Sequence, residues 1–197
     1  MEMHTGLTDN EIIGRVLKGE QQVFALLVDR YRNFIYTLVL RMVENREDAE
    51  EIAQDIFVKA YRSLADFRGD SKFSTWLYTI VNRTCITFLR KKKLETVSID
   101  NEKTFIQVEN QHSAFKANQV EQKSRQLMVN EAIRMLSPDD AQILTLFYKA
   151  EQSLEEMALI LGMEANTVKV KLHRARVRLK EKMEKHFSNE VRELQND

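Results

Sequence analysis

The chain has 197 residues with one Pro, five Gly and one Cys, and its 30 Lys and Arg balance 30 Asp and Glu. That composition suits one or two helical domains with real cores, carries no signature of disorder, and excludes a disulfide framework. No run approaches the roughly 18 apolar residues of a membrane helix, and no basic-then-apolar leader opens the chain, so a cytoplasmic location is expected.

Thr8 and Glu11 form a capping-box pair that predicts a short first helix ending near Gly19. A second helix is predicted from Glu20 to Val43, with Phe24, Leu27, Val28, Tyr31, Ile35, Leu38 and Val39 on or beside one face. A third runs from Glu47 to Leu64 and carries Ala49, Ile52, Ala53, Ile56, Phe57, Ala60 and Leu64 at helical spacing. Phe67 to Ser74 breaks the period with Gly69, Asp70 and Ser71 and reads as a loop. The fourth helix is expected from Thr75 to Lys93, its terminal Arg90 to Lys93 suiting the negative end of a helix dipole. From Leu94 to Gln122 the sequence is polar and aperiodic and reads as a tether. Beyond it, Ser137-Pro138 and the Ser153/Glu156 pair are helix starts, which divides the rest into helices at 123–136, 138–150, 153–161 and 164–186. The expected fold is all-α: two small helical domains, 1–93 and 123–197, joined by a tether at 94–122, with a helix-turn-helix in the second. Cys85 and the methionines Met128, Met135, Met157, Met163 and Met183 sit at helical spacings and are expected to fill cores.

Neutrality is an average over opposed patches. Glu44 to Asp55 holds six acids and one Arg, Asn82 to Lys93 five bases and no acid, and Glu151 to Glu164 four acids and no base. Ala165 to Lys180 holds six Lys or Arg and no acid. Within it, Val168, Leu172, Ala175 and Leu179 form one apolar stripe. Asn166, Lys169, Val170, His173, Arg174 and Val177 then face away from that stripe. Ala158 and Gly162 lie where a first helix packs closely and a turn needs a small or left-handed residue. Arg or Lys on the outward face can bond guanine O6 and N7, and Val170 can touch a thymine methyl.

DAEEIAQDIFVKAYRSL, then FRGDSKFSTWLYTIVNRTCITFLRKKK, a tether, and a helix-turn-helix with NTVKVKLHRAR together resemble a bacterial extracytoplasmic-function sigma factor. The resemblance covers nearly the whole chain except the tether and the last dozen residues. It implies a transcription initiation factor with promoter DNA and RNA polymerase core as partners, an anti-sigma factor as an expected third, and no catalytic residue, cofactor or small-molecule substrate. The first domain would bind core polymerase and open the -10 element; the second would read the -35 element. On the recognition helix, Lys169 and Arg174 match positions that often meet bases, with Asn166, Val170 and His173 beside them, while Lys171, Arg176 and Arg178 would pair with phosphates. On the third helix, Val58 and Tyr61 lie among Glu51, Gln54, Asp55 and Arg62 opposite the apolar stripe, a mixture suited to a protein partner. The resemblance makes that partner the clamp of the polymerase largest subunit.

Capture of an unpaired -10 base needs a pocket of stacking and hydrogen-bonding groups. Phe73 would supply the aromatic face and Ser71, Lys72, Ser74 and Thr75 the donors, with Arg68 and Asn82 completing the set. Phe67 and Trp76 read as core anchors of the loop ends. Arg83, Arg90 and Lys91 would follow the strand; the family commonly carries Asn where this chain has Arg83. The tether also lets the two domains close on each other, or be clamped by an anti-sigma partner, and in either case the recognition helix and the Asp55 patch are the surfaces expected to be masked.

Two other functions compete. An autonomous helix-turn-helix regulator with an N-terminal sensor needs a ligand cavity with convergent polar groups, where this sequence offers a polar loop beside a basic helix. A nucleic-acid-modifying enzyme needs a metal or nucleophile cluster, and the histidines at 4, 112, 173 and 186 share no ligand spacing.

Overall fold

The computed structural model describes residues 6–96 and 127–187, and these are helical with no strand among them. Helix α1 (Asp9–Leu17) opens on the expected capping box: the Thr8 side chain accepts from the Glu11 N–H, and the Thr8 N–H donates to the Glu11 carboxylate at 2.7 Å. The chain turns at Gly19, where φ is 104°, a conformation that L side chains resist. Residues expected to begin the second helix instead make a short 3-10 turn, Gln21–Phe24, which leads into α2 (Ala25–Val43). Asn45 caps α3 (Arg46–Arg62) by accepting from the Asp48 N–H at 2.9 Å. Ser63 ends α3 two residues before the expected boundary, and a 3-10 turn over Leu64–Asp66 buries Leu64 in the core.

Helix α4 (Phe73–Thr96) starts two residues earlier than the sequence predicted because Phe73 is drawn into an aromatic cluster. Its ring lies 5.7 Å from Tyr31, 5.7 Å from Phe67 and 5.5 Å from Trp76, and the residue is 2% exposed. Leu94 to Thr96, read as the start of the tether, complete α4. The remainder of that tether, and the first residues of the helix expected from 123, fall in 97–126, outside the described residues.

In the second block, α5 is described over 127–134 and is followed by α6 (Pro138–Tyr148), α7 (Leu154–Leu161) and α8 (Ala165–His186). Ser137 accepts from the Asp140 N–H with Pro138 in the first turn, so the missing proline N–H falls where no helical acceptor exists. Ser153 and Glu156 form the second capping box. Met128 and Met157 are buried as expected, whereas Met135 is 40% exposed because its helix unwinds there toward Ser137.

The apolar interiors of the two blocks run together into one cluster. Helix α2 packs on α6, and α4 packs on α7, so the face of the first block that carries the start of α4 is laid against the second block.

Candidate nucleic-acid interface

Recognition-helix geometry follows from the turn before it. Gly162 ends α7 in the left-handed region with φ 64°, and α8 then turns Val168, Leu172 and Ala175 into the core at 0–4% exposure. Leu179 is half-buried on the same stripe. Asn166, Lys169, Val170, His173, Arg174 and Val177 are all exposed on the opposite side, the row the apolar period predicted. The flanking cations divide. Lys171 stands 4.0 Å from Asp139, and Arg176 lies over the rings of Phe147 and Tyr148 at 4.8 and 5.3 Å. Arg178, expected at a phosphate, is committed to the body of the block by a 2.7 Å ion pair with the buried Asp140. That residue braces α8 against α6.

On α3, Glu51, Gln54, Asp55, Val58, Tyr61 and Arg62 are exposed, with Val58 at 46%. Asp55 pairs with Lys59 at 2.7 Å one turn on, and the Tyr61 ring meets Phe24 edge-on at 5.1 Å. The patch therefore has an apolar centre, with Tyr61 packed on Phe24, and a charged rim.

The loop before α4 departs from expectation. Arg68 and Lys72 are exposed and Ser71 and Ser74 half-buried, but Phe73 is a core residue, 2% exposed among the rings of Tyr31, Phe67 and Trp76, and is not available to stack on a base. Thr75 and Asn82 project from α4 into the seam with the second block, where they are 1% and 5% exposed. Thr75 Oγ1 donates to Gln152 Oε1 at 2.9 Å and lies 3.5 Å from Glu156 Oε1. Asn82 uses both ends of its amide: Nδ2 donates to the Ile160 carbonyl and Oδ1 accepts from Gln142 Nε2, each at 2.9 Å. Lys72 Nζ reaches Glu156 Oε1 at 3.0 Å. Burial pushes the Glu156 carboxyl upward, yet the Ser153 N–H, the Lys72 ammonium and the Thr75 hydroxyl outweigh it and hold the group below the usual carboxylate range. Farther along α4, Arg83, Arg90 and Lys91 are exposed.

Sequence reading missed the rest of this seam: Arg41 on the first block, and Gln142, Thr145, Gln152 and the second role of Glu156 on the second. Arg41 donates to Thr145 Oγ1 and, at 3.3 Å, to Asn130 Oδ1, which also accepts from Lys149 Nζ at 2.7 Å. Burial lowers the Arg41 guanidinium to about 10, assisted by the charge of Arg134. The signal in the sequence was Gln142 and Thr145 inside the otherwise apolar run AQILTLF. The masking expected of a closed chain is also corrected. The recognition face of α8 and the Val58 patch stay open, and what closure covers is Thr75 and Asn82.

A helical chain that presents a basic helix on a glycine-turned helix-turn-helix, beside a second helical block, has the form of a sequence-reading DNA-binding protein. The sigma-70 region 2 family model matches residues 27–95 and the sigma-70 region 4 model residues 126–179. The ECF RNA polymerase sigma-E factor of Escherichia coli is 34% identical over 190 residues, covering 92% of this chain and 97% of that one. RNA polymerase sigma-H factor of Pseudomonas aeruginosa is 32% identical over 185 residues, covering 88% and 93%. In fold, the chain is similar to the sigma factor RpoE of Bartonella quintana, solved with the anti-sigma factor NepR (TM-score 0.67, 22% identity, 82% of this chain and 96% of that one). It is similar also to CnrH, solved with the cytosolic domain of CnrY (TM-score 0.60, 20% identity, 89% and 96%). The chain belongs to the extracytoplasmic-function sigma factors and is a promoter-recognising transcription initiation factor.

Proposed function

We propose that the three faces divide the work of initiation as follows. The α3 patch around Val58, with Glu51, Gln54, Asp55, Tyr61 and Arg62, docks on the clamp of the polymerase largest subunit. Helix α8 enters the major groove of the -35 element, Lys169 and Arg174 meeting base edges, Val170 a thymine methyl, and Asn166 and His173 the groove wall. Lys171 and Arg176 supply the phosphate contacts that fix register. The -10 element is opened and held by Arg68, Ser71, Lys72, Ser74, Thr75 and Asn82, with Arg83, Arg90 and Lys91 along the strand backbone. Phe73 sets the loop from within the core.

The observation that carries this reading is the outward row on α8, in which Asn166, Lys169, Val170, His173, Arg174 and Val177 are all exposed opposite a stripe of buried Val168, Leu172 and Ala175 and half-buried Leu179. A sigma factor of similar fold is solved with an anti-sigma factor, which supports a cognate anti-sigma protein as a further partner of this chain. No described helix is long and apolar enough to cross a membrane, which agrees with action beside polymerase in the cytoplasm. The factor contributes binding and strand capture, and the polymerase it recruits performs the chemistry. Run-off transcription on genomic fragments with core polymerase, with and without this chain, tests the reading: new transcripts only when the chain is present support it, and identical transcripts refute it.

A further inference from the structure

Several guanidiniums of this protein meet a carboxylate: Arg178 meets Asp140, Arg30 meets Asp9 and Arg15 meets Glu20. Arg41 does not. Half-buried on α2, it donates to the Thr145 hydroxyl oxygen and to Asn130 Oδ1, both neutral. Thr145 Oγ1 commits its own proton to the Ala141 carbonyl at 2.6 Å, so toward Arg41 it is only an acceptor. Lys149 Nζ donates to the same Asn130 Oδ1 at 2.7 Å, which leaves two cations leaning on one amide oxygen. Arg134 brings a third positive charge close enough to oppose Arg41, and the carboxylate beside it, Glu131, is held by Arg134 itself at 2.8 Å.

A charge withdrawn from water needs an opposite charge, and two like charges sharing a neutral acceptor do not supply one. Both groups register the deficit. Burial lowers the Arg41 guanidinium, assisted by the charge of Arg134, and burial followed by the charge of Arg41 lowers the Lys149 ammonium. Stability alone favours an acid at position 130, since Asp has nearly the shape of Asn and would pair with both cations. The amide keeps the acceptor in place and leaves the charge unmet.

We propose that Arg41, Lys149 and Arg134 form a binding site for a terminal phosphate group, with Asn130 Oδ1 marking the place of one phosphate oxygen. Charge selects the class. Arg41 and Lys149 face the site with a positive charge each, which matches the roughly −1.5 to −2 of a terminal phosphate at pH 7. A phosphodiester of a nucleic-acid backbone carries only one negative charge. Geometry agrees: one edge of the Arg41 guanidinium already grips two oxygens side by side, the fork that suits phosphate, and Lys149 adds a point charge on a flexible stem. The site is reached from solution, because Lys149 and Arg134 are exposed and Asn130 is half-buried. None of its residues belongs to the α3 patch, the outward face of α8 or the -10 set.

The test uses the full chain and inorganic phosphate, compared with chloride at equal ionic strength. Phosphate at ~10 mM should raise Tm by about 3–5 °C, the shift for a site with Kd about 1 mM in a chain of this size. Phosphorus NMR titration should return a Kd in that range. Lys149→Met, at an exposed position, should weaken phosphate binding at least tenfold and remove most of the Tm rise; any rise that persists is the general effect of phosphate on burial. Asn130→Asp supplies the charge from within, so it should raise Tm in chloride and abolish the response to phosphate, which a purely structural cluster would not do. Pyrophosphate and adenosine 5′-diphosphate distinguish the sources: a nucleotide bound no better than pyrophosphate assigns the site to the free anion, and one bound at least tenfold tighter assigns it to a nucleotide's phosphate. Equal Tm rises in wild type and Lys149→Met overturn the site. A phosphate response retained by Asn130→Asp overturns it as well.

Discussion

Val58→Arg separates partner binding from folding. Val58 is 46% exposed and stands two residues from Ile56, which is 0% exposed on the same helix. Because the side chain already keeps about half its surface in water, replacing it should change folding stability by no more than about 0.5 kcal/mol. Burying the exposed half beneath a partner contributes about 1 kcal/mol, given ~1.5–3 kcal/mol for a complete Val side chain. An arginine there also brings a bulky cation beside the Asp55–Lys59 pair and must be desolvated on docking. Together these give a loss of about 2 kcal/mol or more, the scale of an interface hot spot and about a thirtyfold weaker Kd. Ile56→Ala is the matched control: it empties a core site at a cost of about 2–5 kcal/mol, so it lowers Tm sharply while leaving the exposed face unchanged. Fluorescence titration of labelled chain with core polymerase reads the affinity, and circular dichroism reads the Tm. Wild-type affinity for Val58→Arg, with Tm unchanged, would remove the α3 patch from the polymerase interface.

Lys72→Ala with Ser74→Ala, leaving the core residue Phe73 in place, should reduce permanganate reactivity of thymines near -10 more than it reduces polymerase recruitment; equal losses would assign the loop to docking. Arg174→Ala should cost about 1–3 kcal/mol at a single -35 base pair, while Lys171→Ala should weaken all sites alike and flatten the salt dependence by about one unit. A uniform loss for Arg174→Ala across a library of -35 variants would mark it as a phosphate contact. Arg178→Ala should lower the Tm through loss of the Asp140 pair and leave discrimination among -35 sequences unchanged, read by melting and by the same library. Burial raises the Cys85 thiol to about 12, so its reactive thiolate is nearly absent at neutral pH and grows only as pH rises toward that value. Maleimide should label native protein negligibly at pH 7 and fully in denaturant; rapid native labelling would show that α4 opens locally.

Sequence alone determined the elements whose information is local. Capping boxes at Thr8/Glu11 and Ser153/Glu156, the Ser137-Pro138 start and the left-handed Gly162 are chemistry within four residues of chain, and each sits where expected. The outward face of α8 was legible for a related reason: a buried stripe with helical period fixes, by rotation alone, which residues point away from it. Tertiary structure decided the rest. Phe73 looked like a free ring in a polar loop, and only its meeting with Tyr31, Phe67 and Trp76 shows that packing it among three half-buried rings outweighs keeping it in water. Arg178 looked like one more cation on a basic helix until α6 brought Asp140 within 2.7 Å. Thr75, Asn82, Gln142 and Gln152 are ordinary polar helix residues by pattern. They become a seam because two blocks far apart in sequence meet there, and buried hydrogen bonds between distant positions leave no mark on local periodicity.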